Sequence, residues 1–330
     1  CMDRQCRKYD FAKIESAFQP VMEFGIASGG VILLYFCSSD VVQGTVTLGT
    51  FVAFFEYIKK MVWPMTALGL GISMVEQGHA SLDRVTSILK TKEDVPDLGT
   101  QEISAIQEIE FRNLNFRYSE SKSDALHGVN FKATAGQTIG IVGSVGSGKT
   151  TLVQLLCRQF ACPENSIFIN GVEISKISKK SLFSHIAFVP QEAFLFSETI
   201  RENIGLGLDQ ISTEQATRLA EAVHIQGEIN ALPLGFESSL GERGVNLSGG
   251  QKQRLTIARA LAKNSSVVIF DDSLSAVDAK TEKKIVLSLQ SELSVKKENR
   301  ITFIISHRVA TLRHADRILI LNQGHMDGFA

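Results

Sequence analysis

The sequence lacks an excess of charge of either sign: 34 Lys and Arg stand against 35 Asp and Glu over 330 residues, a formal net charge of −1. The basic residues are scattered, so no concentrated basic face is offered to DNA or RNA, and nucleic acid is not expected as a partner. The five cysteines (Cys1, Cys6, Cys37, Cys157 and Cys162) form no CxxC pair and have no histidine at ligand spacing. That excludes a disulfide framework and a zinc-type centre, and it leaves reduced thiols. Internal repeats and low-complexity tracts are missing too. The opening CMDRQCRKYD is polar rather than signal-like, and a chain that starts on Cys is expected to be a piece of something longer.

Apolar residues, by contrast, make up 44% of the chain, enough for a sizeable core, and the length suits two domains. They are concentrated early. FQPVMEFGIASGGVILLYFC (18–37) is nearly uncharged, and TLGTFVAFFEYIKKMVWPMTALGLGISMV (47–75) follows a short polar turn. Each is long enough for a bilayer core of about 30 Å, which takes about 20 helical residues. Two membrane-spanning helices are expected; a buried helical pair in a soluble domain is the alternative, to which Glu23, Glu56, Lys59 and Lys60 lend weight. Arg4, Arg7, Lys8 and Lys13 precede the first span, the turn has no Lys or Arg, and Arg84, Lys90 and Lys92 follow the second. This places both ends in the cytoplasm. The second helix is expected to run from about Thr47 to about Leu89, roughly 60 Å, with a kink at Pro64. Glu56, Lys59 and Lys60 share one of its faces, where they either pair with one another or snorkel.

The expected organisation is a helical domain over 1–90, a linker TKEDVPDLGTQ over 91–101, and a second domain over 102–330. In the last, the β-rich runs IEFRNLNFRY, QTIGIVG, SIFINGVEI, HIAFVP, VVIFDD, ITFIIS and RILILNQG alternate with helical stretches. That pattern predicts an α/β sheet with helices on its faces.

The strongest motif is GSVGSGKT, set between the run TIGIV and a helix. Gly143, Ser144, Val145, Gly146, Ser147, Gly148, Lys149, Thr150 and the following Thr151 have the P-loop arrangement. Glycines let backbone N–H groups turn toward a phosphate, Lys149 adds a point charge, and the Thr150 hydroxyl suits Mg²⁺. Asp271, at the end of the apolar run VVIF, is placed to hold the same Mg²⁺ through water. These features alone leave kinases, GTPases and many ATPases open.

LSGGQKQR (247–254), about twenty residues before VVIFDD, resembles the signature of the ATP-binding cassette family. Ser248 can cap a helix with Gln251 completing an S-x-x-Q box, which leaves exposed N–H groups as a second anion site. The resemblance implies that Ser248, Gly249, Gly250 and Gln251 meet the γ-phosphate held by a partner's P-loop. It further implies that Tyr118 stacks on adenine, that Gln191 touches Mg²⁺ and the attacking water, and that His307 contacts the γ-phosphate. Ser275 to Asp278 match the loop that crosses to the other subunit, and GERGVN (241–246) matches the exporter segment that meets coupling helices. Two spans fused ahead of the cassette resemble the end of a six-helix exporter half, with four earlier helices missing and LNQGHMDGFA stopping short of the family's last helix. The implied fold is an α/β P-loop NTPase (ABC ATPase) domain with a helical subdomain, preceded by all-α transmembrane helices. The implied partners are ATP, Mg²⁺, a second half-transporter, membrane lipid and a small-molecule, lipid or peptide cargo. The implied location is the cell membrane, multi-pass, with the cassette in the cytoplasm.

One position departs from the pattern. The family places glutamate directly after the aspartate of VVIFD, where it acts as general base or positions water, and this chain has Asp272. The shorter side chain falls about 1 Å or more short, a misplacement that can cost about 10²-fold in rate. Asp272 is therefore expected to be a poor catalyst in a heterodimer whose turnover occurs at the partner's P-loop. A homodimer of normal activity, a soluble cassette ATPase and a nucleotide-gated channel module are the alternatives.

Overall fold

The computed structural model describes residues 2–91, 93–241, 244, 246–273, 281, 284–285, 300–313 and 315–330. The chain divides into two compact units, Cys1–Lys92 and Glu93–Ala330.

The first unit is a pair of long helices, α1 (Met2–Val42) and α2 (Leu48–Leu89). Asp40 closes the connection by accepting, at its carbonyl, the N–H groups of Thr45 and Val46. Thr47 then caps α2, its hydroxyl accepting from the Thr50 N–H at 3.1 Å. Forty-two continuous residues give α2 a length of about 63 Å, with Pro64 inside it. The first helix extends beyond the apolar stretch at both ends and contains Pro20. Among the described residues, one segment, Pro20–Val42, is long and apolar enough by composition to cross a bilayer. The expected second span does not reach that level, because Glu56, Lys59 and Lys60 interrupt its apolar run. Lys59 and Glu56 pair at 2.9 Å. Large apolar side chains on both helices, among them Phe24, Tyr35, Phe54 and Trp63, are exposed, and no described residue of α2 is buried.

The second unit is built on strands β1 (Glu108–Phe116), β2 (Leu126–Thr134), β3 (Thr138–Gly143), β4 (Ile167–Ile169), β5 (Val172–Glu173), β6 (Ile186–Val189), β7 (Val267–Asp271), β8 (Ile301–Ile305), β9 (Arg317–Asn322) and β10 (His325–Phe329). Their order across the sheet is β5-β4-β1-β2-β10-β9-β3-β8-β7-β6. From β9 to β6 the neighbours are parallel; β1, β2, β4 and β5 pair antiparallel. A parallel bridge between His325 and His127 joins the halves.

Helices α3 (Lys149–Leu156), α4 (Lys179–His185), α5 (Ile200–Ile204), α6 (Thr213–Ala222), α7 (Gln226–Asn230) and α8 (Gly249–Ala262) cover this sheet. Strand β7 shows why its sequence is an unbroken apolar run. Val267 and Ile269 enter the core that contains Leu152, Leu155 and Leu156 of α3, while Val268 and Phe270 enter the core formed with α5, α6 and α8. A strand buried on both faces has no polar alternation to display. The run SIFINGVEI is two strands, because Asn170 and Gly171 both take positive φ (50° and 78°) and turn the chain into a hairpin. Strands β2 and β10 were not expected from the sequence. Gly128, at φ 56°, interrupts the pattern of β2, and β10 is HMDGF, which has little strand character.

Candidate functional site

Four adjacent parallel strands, β3, β8, β7 and β6, deliver the predicted residues to one edge of the sheet. Their carboxyl ends lead into Gly143–Lys149, His307, Asp271–Asp272 and Gln191 respectively. In open parallel sheets this edge is where ligands bind.

The loop after β3 is tightly fitted. Gly148 caps α3 at φ 94°, and a Cβ there would lie 2.6 Å from the Ala125 carbonyl oxygen and 2.7 Å from Leu126 Cδ2. Only glycine fits both the left-handed backbone and that approach. Lys149 is 6% exposed, and its ammonium donates to the Gly143 carbonyl at 3.0 Å and the Ser144 carbonyl at 2.7 Å. Burial pulls its pKa down, against the attraction of Asp271 and Asp272. The Thr150 hydroxyl donates to Asp271 Oδ1 at 3.1 Å. Asp271 is buried, which pushes its carboxyl above the ordinary range; the neighbouring Asp272 charge pushes the same way, and the Thr150 hydrogen bond and Lys149 oppose.

Asp272 leaves the β7 ladder through a left-handed backbone, φ 43°, with its N–H donating to the Ile305 carbonyl at 3.0 Å. Such a conformation is uncommon for a residue other than glycine and recurs at functional sites. Tyr118 reaches α3 directly, its hydroxyl 2.8 Å from Thr151 Oγ1, and its ring packs edge-on against Phe116 and Phe160. Gln191 and His307 are exposed. The Gln191 loop is tied to α8, where Gln253 Nε2 donates to the Pro190 carbonyl at 3.1 Å. Gln253 was not singled out by the sequence, since nothing local distinguishes it from its polar neighbours.

The Ser248–Gln251 turn forms at the N-terminus of α8. Ser248 Oγ accepts from the Gln251 N–H at 3.3 Å, and Gln251 Oε1 accepts from the Ser248 N–H at 2.8 Å, the reciprocal capping box. Two more side-chain hydrogen bonds reach the turn, one from Gln251 Nε2 to Glu228 of α7 and one from Arg254 Nε to the Gly250 carbonyl. A Cβ on Gly249 would meet nothing within 4 Å. Ser275 to Asp278, and Glu242, Arg243 and Val245 of GERGVN, lie outside the described residues.

Comparison with known proteins agrees with this arrangement. The ABC transporter family profile matches residues 126–275. The probable multidrug resistance ABC transporter ATP-binding/permease protein YheI of Bacillus subtilis is 40% identical over 314 residues, 95% of this chain and 53% of that protein. The ATP-dependent lipid A-core flippase of Desulfotalea psychrophila is 38% identical over 317 residues, 95% of this chain and 54% of that protein. A bacterial Atm1-family ABC exporter with ATP bound superposes with a TM-score of 0.76 at 31% identity, over 98% of this chain and 56% of that one. The chain thus spans about half the length of the relatives it matches. The sheet, the loop before α3 and the capped turn before α8 are those of an ABC transporter ATP-binding domain, the family whose profile matches residues 126–275.

Proposed function

We propose that this chain is part of an ABC exporter half-transporter that binds and hydrolyses ATP and couples the reaction to outward movement of a substrate across the cell membrane. The observation that carries the reading is the Thr150–Asp271 pair beside the glycine cradle of Lys149. A hydroxyl and a carboxylate 3.1 Å apart are the hard oxygen donors that suit Mg²⁺. Thr150 and Asp271 would hold that ion, with Gln191 beside them, and when bound it neutralises charge on the phosphates. In this reading Lys149 transfers its hydrogen bonds from the loop carbonyls to the phosphates, and Tyr118 stacks on adenine. Asp272 orients the attacking water, and His307 donates to the γ-phosphate. The Ser248 turn completes the site of a second half-transporter, whose own turn completes this one.

The chain's Asp272, where the family places glutamate, supports a heterodimer in which this chain's P-loop hydrolyses slowly and the partner's site turns over. Both long helices cross the bilayer in this reading, α2 with its Glu56–Lys59 pair inside the bundle. Relatives named for multidrug resistance and for lipid A-core flipping support a small-molecule or lipid cargo.

The test uses the full-length assembly purified in detergent. The reading predicts that Lys149→Ala abolishes Mg²⁺-dependent photolabelling of this chain by an ATP analogue, because the loop loses the cation that faces the phosphates. Labelling that survives Lys149→Ala unchanged would contradict it.

A further inference from the structure

Glu228, on α7, is where the parts of the α8 turn meet. One carboxylate oxygen accepts from Gln251 Nε2 at 2.8 Å, and both accept from one Arg254 nitrogen, at 2.7 and 2.8 Å. Arg254 is 9% exposed and spreads its remaining N–H groups over the His224 carbonyl at 2.6 Å and the Gly250 carbonyl at 3.3 Å. The Gln251 amide is therefore engaged at both ends, accepting from the Ser248 N–H and donating to Glu228. Reversing it would set its oxygen against a carboxylate and its NH₂ against an N–H, so Glu228 decides its orientation.

Charge adds a second consequence. An unpaired carboxylate next to the first turn of α8 would repel a phosphate approaching those N–H groups. Arg254, held on both oxygens, cancels that charge at contact distance. With the amide of Gln251 committed to bracing, the donors left to meet an anion are the Ser248 hydroxyl and the N–H groups of Gly249 and Gly250, which have no intrahelical acceptor.

We infer that Glu228 is a positioning residue for ATP hydrolysis: through Gln251 and Arg254 it holds the Ser248–Gly250 turn in the orientation that a partner-held γ-phosphate requires. This rests on the reading of the chain as half of a composite ATPase. Gln251, on this view, serves the site as a brace and contributes no side-chain contact to nucleotide.

The experiment measures steady-state ATPase of the full-length assembly for Glu228→Ala, Glu228→Gln, Gln251→Ala, the Glu228→Ala/Gln251→Ala double variant and, as a control, Ser248→Arg. Glu228→Ala should lower kcat roughly tenfold, the scale of a lost charge-assisted hydrogen bond, while KM and ATP photolabelling of this chain stay unchanged. Glu228→Gln keeps a carbonyl acceptor for Gln251 and should recover most of the rate. The double variant should be no slower than the slower single one, because both remove the same brace. Glu228→Ala within about twofold of wild type, Glu228→Gln as slow as Glu228→Ala, or effects that multiply in the double variant would each overturn the inference. Full turnover by Ser248→Arg would overturn the composite-site reading itself and the inference with it. An inactive Ser248→Arg beside a fully active Glu228→Ala overturns the inference alone.

Discussion

The turn that opens α3 is locked by the sheet beside it, whereas the turn that opens α8 is held by side-chain hydrogen bonds, its own and those to Glu228 of α7. At Gly148 the backbone is left-handed and presses on Ala125 and Leu126, so the glycine answers to contacts inside this chain. At Gly249 the surroundings are open, and the turn is shaped by the Ser248–Gln251 box and its tie to Glu228. The first glycine is explained by this chain's own packing. The second is not, which fits a residue that leaves room for a group supplied by another molecule.

Alanine substitution at each glycine sharpens that contrast and carries the largest expected effect. Gly148→Ala should destabilise the α/β unit by at least about 2 kcal/mol, from the left-handed penalty together with the overlap at Ala125. Thermal unfolding would show a fall of roughly 4–8 °C. Gly249→Ala should leave the melting temperature within about 2 °C of wild type, since a methyl group there meets nothing in the chain. A clear loss of stability in Gly249→Ala would erase the distinction between the two turns.

A smaller effect is expected at Tyr118. Tyr118→Phe keeps the ring and its packing on Phe116 and Phe160 but removes the hydroxyl that meets Thr151. The cost should be about 1 kcal/mol or less in stability, with ATP affinity, measured by equilibrium photolabelling, changed by no more than about threefold if the ring does the stacking. A tenfold loss would assign the hydroxyl, rather than the ring face, the larger role in shaping the α3 end of the site.

Much of this was legible in the sequence because the relevant signals are local. The apolar runs of β3, β7 and β8 follow from burial on both faces. The loop before α3 and the capping box before α8 each need only eight or four consecutive residues. What escaped is what depends on distant partners. Nothing around Glu228 announces that it will meet Gln251 and Arg254, more than twenty residues later. The left-handed backbone at Asp272 has no sequence signal, since aspartate is not a residue that demands it. Strand β2 was missed because Gly128 interrupts its pattern and its pairing with β1 is slipped twice. In the second apolar stretch length and composition point different ways, because it is long enough for a span while Glu56, Lys59 and Lys60 keep it from matching Pro20–Val42 in apolar composition.

The central claim, that the chain's signature turn serves a working site while its own Asp272 serves a slow one, is tested most directly by steady-state ATPase of the full assembly carrying Asp272→Ala or Ser248→Arg. The account predicts that Asp272→Ala changes the rate by less than about twofold, while Ser248→Arg, whose bulk and charge obstruct the γ-phosphate in the partner's site, nearly abolishes turnover. A loss of more than about 10²-fold in Asp272→Ala, the scale of a working general base, would contradict it and make the two sites equal.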